Sequence, residues 1–267
     1  MKKKFKLGII GAGFMATAII DGVISSNVIK KNELTVYDIN DAALEKIREK
    51  GIFTSLSNSD LVKNSEYILF AVKPQSFDQV ARSIEPISNL KVISIMAGVK
   101  KAKIKRYFEN SSVARCMPNT PCSIKSGAIG ADLSDFNDAD ADFIQKILSS
   151  IGVVVQVEEE KLGAVTAISG SSPAYFYAFV NGIIESGIKL GLSESDAKTL
   201  AVNTLIGSGK MIINNPDKQL SDLINSVCSK GGTTIEAVKV FESENLDGII
   251  DKAMKACFNR SKELEDL

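Results

Sequence analysis

A glycine-rich segment near the amino terminus has the residue types and spacing of a phosphate-binding turn. Gly11, Gly13 and Ala16 follow an apolar run that ends at Ile10, in the pattern G-x-G-x-x-A. The first glycine of such a pattern permits a tight turn, the second lets a pyrophosphate approach the backbone, and the small third residue lets a helix pack on the strand. The free N–H groups of the helix then face the phosphates. The segment predicts dinucleotide binding, and a strand–helix turn without a ligand is the alternative.

Asp38 is the second candidate for cofactor binding, because it directly follows a predicted strand, Leu34–Tyr37. At this place in a Rossmann fold an acidic residue accepts hydrogen bonds from the ribose hydroxyls of NAD, whereas an arginine suits the 2′-phosphate of NADP. Asp38 therefore favours NADH. It could instead cap a helix predicted over residues 41–50.

Small residues and prolines follow three later predicted strands. The segments are Ala71-Val72-Lys73-Pro74, Met96-Ala97-Gly98 and residues 117–121, M-P-N-T-P. The carboxyl ends of parallel strands meet at one sheet edge, where a nicotinamide ring needs rigid turns and close backbone approach. These segments predict the nicotinamide end of the site, although each alone suits an ordinary loop.

A fourth candidate lies far along the chain, in residues 229–234. Ser229, Lys230 and two glycines stand directly before the threonines of a predicted helix, and Gly232, Thr233 and Thr234 end the segment. Adjacent glycines at a helix start leave N–H groups and hydroxyls where a carboxylate could bind. The alternative is a helix–helix loop with a threonine cap.

The surrounding pattern predicts an α/β fold in two domains. Residues 1–157 form an N-terminal Rossmann-type, parallel, doubly wound sheet that binds the dinucleotide, and residues 158–267 form an all-helical C-terminal dimerisation domain. Strands are expected at residues 7–10, 34–37, 67–72, 92–96, 113–117, 128–131 and 153–157, and helices at 14–23, 41–50, 76–84, 100–108, 139–150, 161–169, 173–190, 193–214, 220–227, 233–242 and 246–262.

Composition excludes several classes of protein. The 267 residues carry 32 basic and 32 acidic side chains, so the formal net charge is zero and does not favour binding to nucleic acid or to an anionic membrane. No apolar run is long enough to span a bilayer, and we expect a cytoplasmic protein. The four cysteines form no C-x-x-C pair, so no zinc site is expected. The chain has no histidine, which excludes imidazole as general acid, base or metal ligand.

Within two of the predicted helices, the stretches over residues 174–188 and 201–213 are apolar on more than one face. A small helical bundle cannot bury so much apolar surface within one chain, and such helices pack against a partner subunit. We therefore expect a homodimer through the C-terminal half.

Taken together, the motifs resemble those of the pyrroline-5-carboxylate reductase family over essentially the whole chain. The matching segments are I-I-G-A-G-F-M-A from Ile9, A-V-K-P from Ala71, M-A-G-V from Met96, R-C-M-P-N-T-P from Arg115, P-A-Y-F-Y from Pro173 and G-G-T-T-I-E-A-V from Gly231. One departure is Lys230, where the family commonly has proline.

The resemblance implies roles for particular residues. By it, NAD(P)H lies against Gly11, Ala12, Gly13, Phe14, Met15, Asp38, Asn58, Ala71, Val72, Lys73, Pro74, Ala97 and Gly98. The substrate carboxylate is held by Ser229, Gly232, Thr233 and Thr234, with the catalytic Thr234 hydroxyl near the ring nitrogen. The family also implies a homodimer, in some members assembled into a ring of dimers, and a reaction that reduces 1-pyrroline-5-carboxylate to L-proline.

This chemistry suits a chain without histidine. A ketone needs a proton donor during reduction, whereas a cyclic imine arrives already protonated, and hydride delivery to the adjacent carbon neutralises it. Two alternatives remain at this stage. A β-hydroxy-acid dehydrogenase would use a lysine in the first helix of the helical half, and residues 173–181 contain none. A dinucleotide-sensing protein without catalysis would leave the G-G-T-T loop without a role.

Overall fold

The computed structural model describes residues 4–265, which fold into two compact units. The first unit runs to Ser171 and includes the chain from Cys257 onward, and the second unit is Ser172–Ala256. The first unit contains the strands β1 (Phe5–Ile10), β2 (Leu34–Tyr37), β3 (Phe53–Thr54), β4 (Ser65–Phe70), β5 (Lys91–Ser94), β6 (Ser112–Met117), β7 (Gly127–Asp132) and β8 (Gly152–Gln156). Its helices are α1 (Phe14–Ser25), α2 (Asp41–Glu49), α3 (Asn58–Asn64), α4 (Phe77–Arg82), α5 (Lys101–Tyr107), α6 (Asp138–Ser149) and α7 (Leu162–Val165), the last continuing into a π-helical segment, Thr166–Gly170.

The strands form one sheet in the order β3-β2-β1-β4-β5-β6-β7-β8. All neighbouring pairs are parallel except β6 and β7, so the sheet departs from the all-parallel prediction there. A parallel crossover takes about a dozen residues or more, and residues 118–126 contain only a short 3-10 segment, so the chain turns back. The strand order reverses between β1 and β4, which is where doubly wound sheets bind ligands.

The apolar pattern of β1 and α1 explains why both elements are buried. Leu7 and Ile9 are fully buried on the sheet, and Ile19, Ile20 and Val23 bury one face of α1 in the same core cluster. Each such side chain contributes roughly 1.5–3 kcal/mol by leaving water. A second core cluster includes Phe70 of β4, Phe77 of α4 and Phe108, which follows α5. The two clusters hold the carboxyl ends of the parallel strands in place.

Two elements of the first unit were missed by the sequence prediction, β3 and α3. The helix α3 buries only Asn58, Leu61 and Val62, and its start is fixed by Ser57, whose hydroxyl accepts a hydrogen bond from the Asp60 N–H at 3.1 Å. So few apolar residues give no helical periodicity, and a capping serine alone does not predict a helix.

The second unit is helical, as predicted. It contains α8 (Ser172–Lys189), α9 (Glu194–Ile213), α10 (Leu220–Val227), α11 (Thr233–Ser243) and most of α12 (Leu246–Glu265). Large apolar side chains of this unit are exposed in the single chain, including Phe176, Tyr177, Ile206, Met211 and Ile213. None of the helices in residues 4–265 is long and apolar enough to cross a membrane.

The compact units do not divide at residue 157, where strand-like runs end. The helical segment after β8 packs on the sheet, since a methyl group built on Gly130 would lie 2.6 Å from the Val165 side chain. The last turns of α12 also belong to the first unit, where Glu265 pairs with Arg115. These contacts join residues that are far apart in the sequence, so the local sequence pattern does not reveal them.

Candidate cofactor and substrate sites

The glycine turn lies where β1, β2 and β4 end together. Gly11 has φ +103°, its N–H donates to the Tyr37 carbonyl at 2.8 Å, and a methyl group built on it would lie 2.7 Å from the Ala71 carbonyl oxygen. Both the backbone angle and the crowding require glycine. Gly11 therefore fixes the close approach of three strand ends.

Gly13 has a different reason to be glycine. It is the N-cap of α1, with φ −75° and no side-chain cap, and a methyl group built on it would have nothing within 4 Å. The start of α1 thus has free space beside a residue without a side chain. This is the geometry that a helix N-terminus needs to receive a phosphate. Phe14 is exposed, while Met15 packs against the core.

Asp38 is bonded to the glycine turn. One carboxylate oxygen accepts the Ala12 N–H at 2.7 Å, and the other accepts the Asn40 N–H at 2.9 Å. Asp38 is not the cap of α2, so that alternative is wrong: Asn40 is the N-cap, and its side-chain oxygen accepts the N–H groups of Ala42 and Ala43.

Seven of the predicted cofactor residues line one groove of about 450 Å³ beside the ends of β1, β2 and β4. They are Gly11, Gly13, Asp38, Asn58, Ala71, Val72 and Lys73. The described lining contains one cationic side chain, Lys73. Ala12, Gly13 and Phe14 also line an adjoining groove of about 470 Å³ along α1 and α2.

The side chain of Asn58, which lines the groove of about 450 Å³, has an unused hydrogen-bond acceptor. Its side-chain nitrogen donates to the Ser83 hydroxyl at 2.8 Å, and its side-chain oxygen is buried without a hydrogen-bond partner among the described residues. A buried unpaired carbonyl is costly and calls for a ligand donor such as a hydroxyl. The open helix end, the Asp38 carboxylate and this oxygen all fit a dinucleotide.

The remaining predicted cofactor residues lie outside these two grooves. Pro74 begins a 3-10 turn after β4. Ala97 and Gly98 follow β5, and Gly98 has φ +75° with the Leu264 carbonyl oxygen 3.0 Å from a methyl group built on it. Packing against the end of α12 thus explains the glycine at 98, while its contact with the cofactor stays a prediction.

A buried ion-pair cluster ties the end of α12 to β6. Arg115 is almost fully buried, and its guanidinium contacts Glu265 at 2.8 Å and Glu159 at 3.3 Å. Burial alone would raise the pKa of the Glu265 carboxyl. The hydrogen bond and positive charge of Arg115, together with Lys262, outweigh burial and hold this pKa below its ordinary value.

Asn119 is a buried polar residue of the M-P-N-T-P segment, which the sequence predicts at the nicotinamide end of the site without a separate role for this side chain. Its side-chain nitrogen donates to the Ser169 carbonyl at 3.1 Å, and its side-chain oxygen accepts the Ala128 N–H at 3.0 Å. The available signal was the asparagine itself, because a polar residue directly after a buried strand must find partners.

The predicted substrate residues lie in the second unit. Gly232 is the N-cap of α11 without a side-chain cap, its N–H donates to the Ser229 carbonyl at 2.9 Å, and Thr233 and Thr234 form the first turn of the helix. The threonine cap considered as the alternative is therefore not formed. Gly231 has φ +74°, so the turn requires glycine there. Ser229 and both threonines are exposed in the single chain.

Family models match both parts of the chain. Residues 159–264 match pyrroline-5-carboxylate reductase dimerisation, and residues 6–98 match NADP oxidoreductase, coenzyme F420-dependent. Among curated proteins, a pyrroline-5-carboxylate reductase of Pasteurella multocida is 35% identical, covering 97% of both chains.

Solved structures give the same result. A pyrroline-5-carboxylate reductase from Coxiella burnetii aligns with a TM-score of 0.88 and 31% identity, covering 98% of this chain and 99% of the other. The Plasmodium falciparum pyrroline carboxylate reductase with NADP bound aligns with a TM-score of 0.85 and 27% identity, covering 99% and 100%.

Proposed function

Because the chain belongs to the pyrroline-5-carboxylate reductase family, its reaction is the reduction of 1-pyrroline-5-carboxylate to L-proline with NAD(P)H, and we propose the residues that carry it out. The reaction is the final step of proline biosynthesis, and the dimerisation domain makes the protein a homodimer. We further propose that dimers can assemble into a ring and that the protein works in the cytoplasm.

The cofactor-binding residues act by position. NAD(P)H supplies the hydride. The open N-terminus of α1, with Gly13 beside it, binds the pyrophosphate, and Asp38 and Asn58 bind ribose hydroxyls. We assign the exits of β4 and β5, at Val72 and Ala97, to the nicotinamide end.

We propose that this chain prefers NADH. The Asp38 carboxylate is held at the end of β2 by two backbone N–H groups, and its negative charge would repel a 2′-phosphate. Lys73 is the single cation among the described lining residues of the groove of about 450 Å³, and it follows β4 instead of β2. Lys46 and Lys50 line the adjoining groove along α1 and α2. The Plasmodium relative was solved with NADP, so membership of the family does not by itself decide the preference.

The α11 turn is proposed to bind the substrate. The N–H groups of Thr233 and Thr234 and the Ser229 hydroxyl bind the carboxylate, since a helix N-terminus favours an anion. The Thr234 hydroxyl orients the ring nitrogen, which carries its proton on arrival. Orientation of two reactants supplies up to about 7–11 kcal/mol of barrier lowering, and no imidazole is required.

The observation that carries this function is 35% identity over 97% of the chain with a curated reductase. The test is to follow oxidation of NADH and of NADPH with pyrroline-5-carboxylate, and then with a hydroxy acid or a keto acid. We expect turnover with the cyclic imine only. Turnover with a hydroxy acid would favour the dehydrogenase alternative, and cofactor binding without turnover would favour the sensor.

A further inference from the structure

The helical segment that precedes α8 contains a carbonyl, that of Ser169, for which the α-helical register offers no donor. In an α-helix the carbonyl of Ser169 would accept the N–H of the residue four positions later, which is Pro173. Proline has no N–H. Ser169 is partly buried, and a carbonyl withdrawn from water without a donor costs up to roughly 1–3 kcal/mol, which favours a donor from another group.

Asn119 supplies that donor from the exit of β6. Its side-chain nitrogen lies 3.1 Å from the Ser169 carbonyl oxygen, and the side chain is buried. The orientation of the amide is determined by its two backbone partners. The N–H of Ala128 can only donate, so the side-chain oxygen faces it at 3.0 Å, and the nitrogen faces Ser169.

The turn held by Asn119 is irregular and is fixed by a second contact. The segment Thr166–Gly170 is π-helical, with the Ser171 N–H donating to the Thr166 carbonyl five residues earlier at 2.9 Å. A methyl group built on Gly170 would lie 2.5 Å from the end of the Met117 side chain. Isolated π-turns within helices are frequent at functional sites. Met117 and Asn119 therefore hold one turn from the exit of a single strand.

The position of this turn in the chain connects it with the reaction. Ser171 is the last residue of the first unit before α8, and α8 begins the unit that carries the substrate turn. The strand β6 pairs with β5, after which Ala97 is assigned to the nicotinamide end. Misplacement of reacting groups by about 1 Å can cost about 100-fold in rate.

We propose that Asn119 is a positioning residue for hydride transfer: its amide takes the place of the N–H that Pro173 lacks and so fixes the turn that joins the cofactor unit to the substrate unit. This role rests on the reductase function proposed above. In this proposal Asn119 acts through its hydrogen bond to the Ser169 carbonyl and not by contact with a reactant.

The test uses Asn119→Asp, which keeps the oxygen that accepts from Ala128 and removes the donor to Ser169. We expect kcat with pyrroline-5-carboxylate to fall by about tenfold or more, while the dissociation constants of NADH and NADPH, measured by fluorescence without substrate, change less than about twofold. The matched control is Asn215→Asp, which removes a side-chain donor to the Met211 carbonyl, 2.8 Å away, and should leave kcat unchanged.

The decisive variant is Pro173→Ala, which restores a backbone N–H four residues after Ser169. In that background Asn119→Asp should lose much less activity, so kcat of the double variant should approach that of Pro173→Ala. The same comparison serves if Asn119→Asp alone is too unstable to purify. A wild-type kcat for Asn119→Asp, or equal losses in both backgrounds, overturns the positioning role. An inactive wild-type protein would overturn the reductase function instead.

Discussion

The carboxylate of Asp38 accepts a hydrogen bond from the Ala12 N–H at 2.7 Å, which joins the end of β2 to the glycine turn after β1. A second N–H, from Asn40, holds the other carboxylate oxygen at 2.9 Å. The acid is thus held at the place where we propose that a ribose binds, and we expect its charge to repel a 2′-phosphate.

Replacing Asp38 by asparagine should shift cofactor preference toward NADPH. Asparagine keeps an oxygen for the Ala12 N–H and removes the negative charge. Because two like charges about 4 Å apart interact by about 4 kcal/mol near a protein surface, we expect NADP⁺ to bind at least about tenfold more tightly relative to NAD⁺. Isothermal titration gives both dissociation constants. Asp41→Asn, an exposed acid in the first turn of α2 outside the described groove lining, is the control; an equal ratio of constants in the Asp38 and Asp41 variants would refute the assignment.

Alanine at Gly13 and alanine at Gly11 should have opposite effects. Gly13 has a backbone conformation open to alanine and free space around it, so Gly13→Ala should leave the melting temperature nearly unchanged and weaken cofactor binding at least about tenfold by blocking the pyrophosphate. Gly11→Ala should instead destabilise the fold by about 1–3 kcal/mol or more, because φ +103° is strained for alanine and the Ala71 carbonyl is too close. Thermal unfolding and cofactor titration of both variants separate the roles. Unimpaired cofactor binding by Gly13→Ala would remove the pyrophosphate from this turn.

Thr234 should affect turnover through its hydroxyl. Thr234→Val keeps the shape and removes the hydroxyl, and we expect kcat to fall about tenfold or more, as the loss of a hydrogen bond to a charged group of about 1.5–3 kcal/mol implies. Cofactor affinity should not change, because Thr234 lies in the second unit. Thr234→Ser retains the hydroxyl and should stay near the wild-type rate. Steady-state kinetics with saturating cofactor measure both, and wild-type kinetics for Thr234→Val would exclude Thr234 from the site.

The sequence predicted the elements whose signal is local. The strand ending at Ile10, the turn at Gly11 and the strand Leu34–Tyr37 all have the expected bounds or nearly so, because apolar runs and glycine spacing determine them. The donor role of Asn119 could not be predicted, since it depends on a carbonyl fifty residues away along the chain. The pairing of Arg115 with Glu265 was missed for the same reason, with 150 residues between the partners.

The stability of the protein should depend on pH in the acid range because of the Arg115–Glu265 pair. The pKa of Glu265 lies below its ordinary value because the hydrogen bond and charge of Arg115, with Lys262, outweigh burial. A carboxyl whose folded pKa is lowered contributes stability at pH values above its unfolded pKa, and that contribution is lost as pH falls through the folded pKa. The melting temperature should therefore fall on acidification below about pH 4.5, in part through this residue.

Glu265→Gln isolates that contribution. Removing one partner of a buried pair leaves Arg115 without its closest carboxylate, so the variant should be about 3–5 kcal/mol less stable at neutral pH and lose less additional stability on acidification than the wild type. The control is Glu263→Gln, because Glu263 pairs with Arg260 at 2.6 Å on the exposed face of the same helix, where a pair contributes at most about 1 kcal/mol.

Asp132 and Asp135 keep some acid sensitivity in both variants. Burial would raise the pKa values of these two carboxyls, but hydrogen bonds and lysine charges hold them low. Denaturant unfolding between pH 3 and pH 7 measures the difference, and parallel curves for wild type and Glu265→Gln would show that the charge of Glu265 does not stabilise its contact with Arg115.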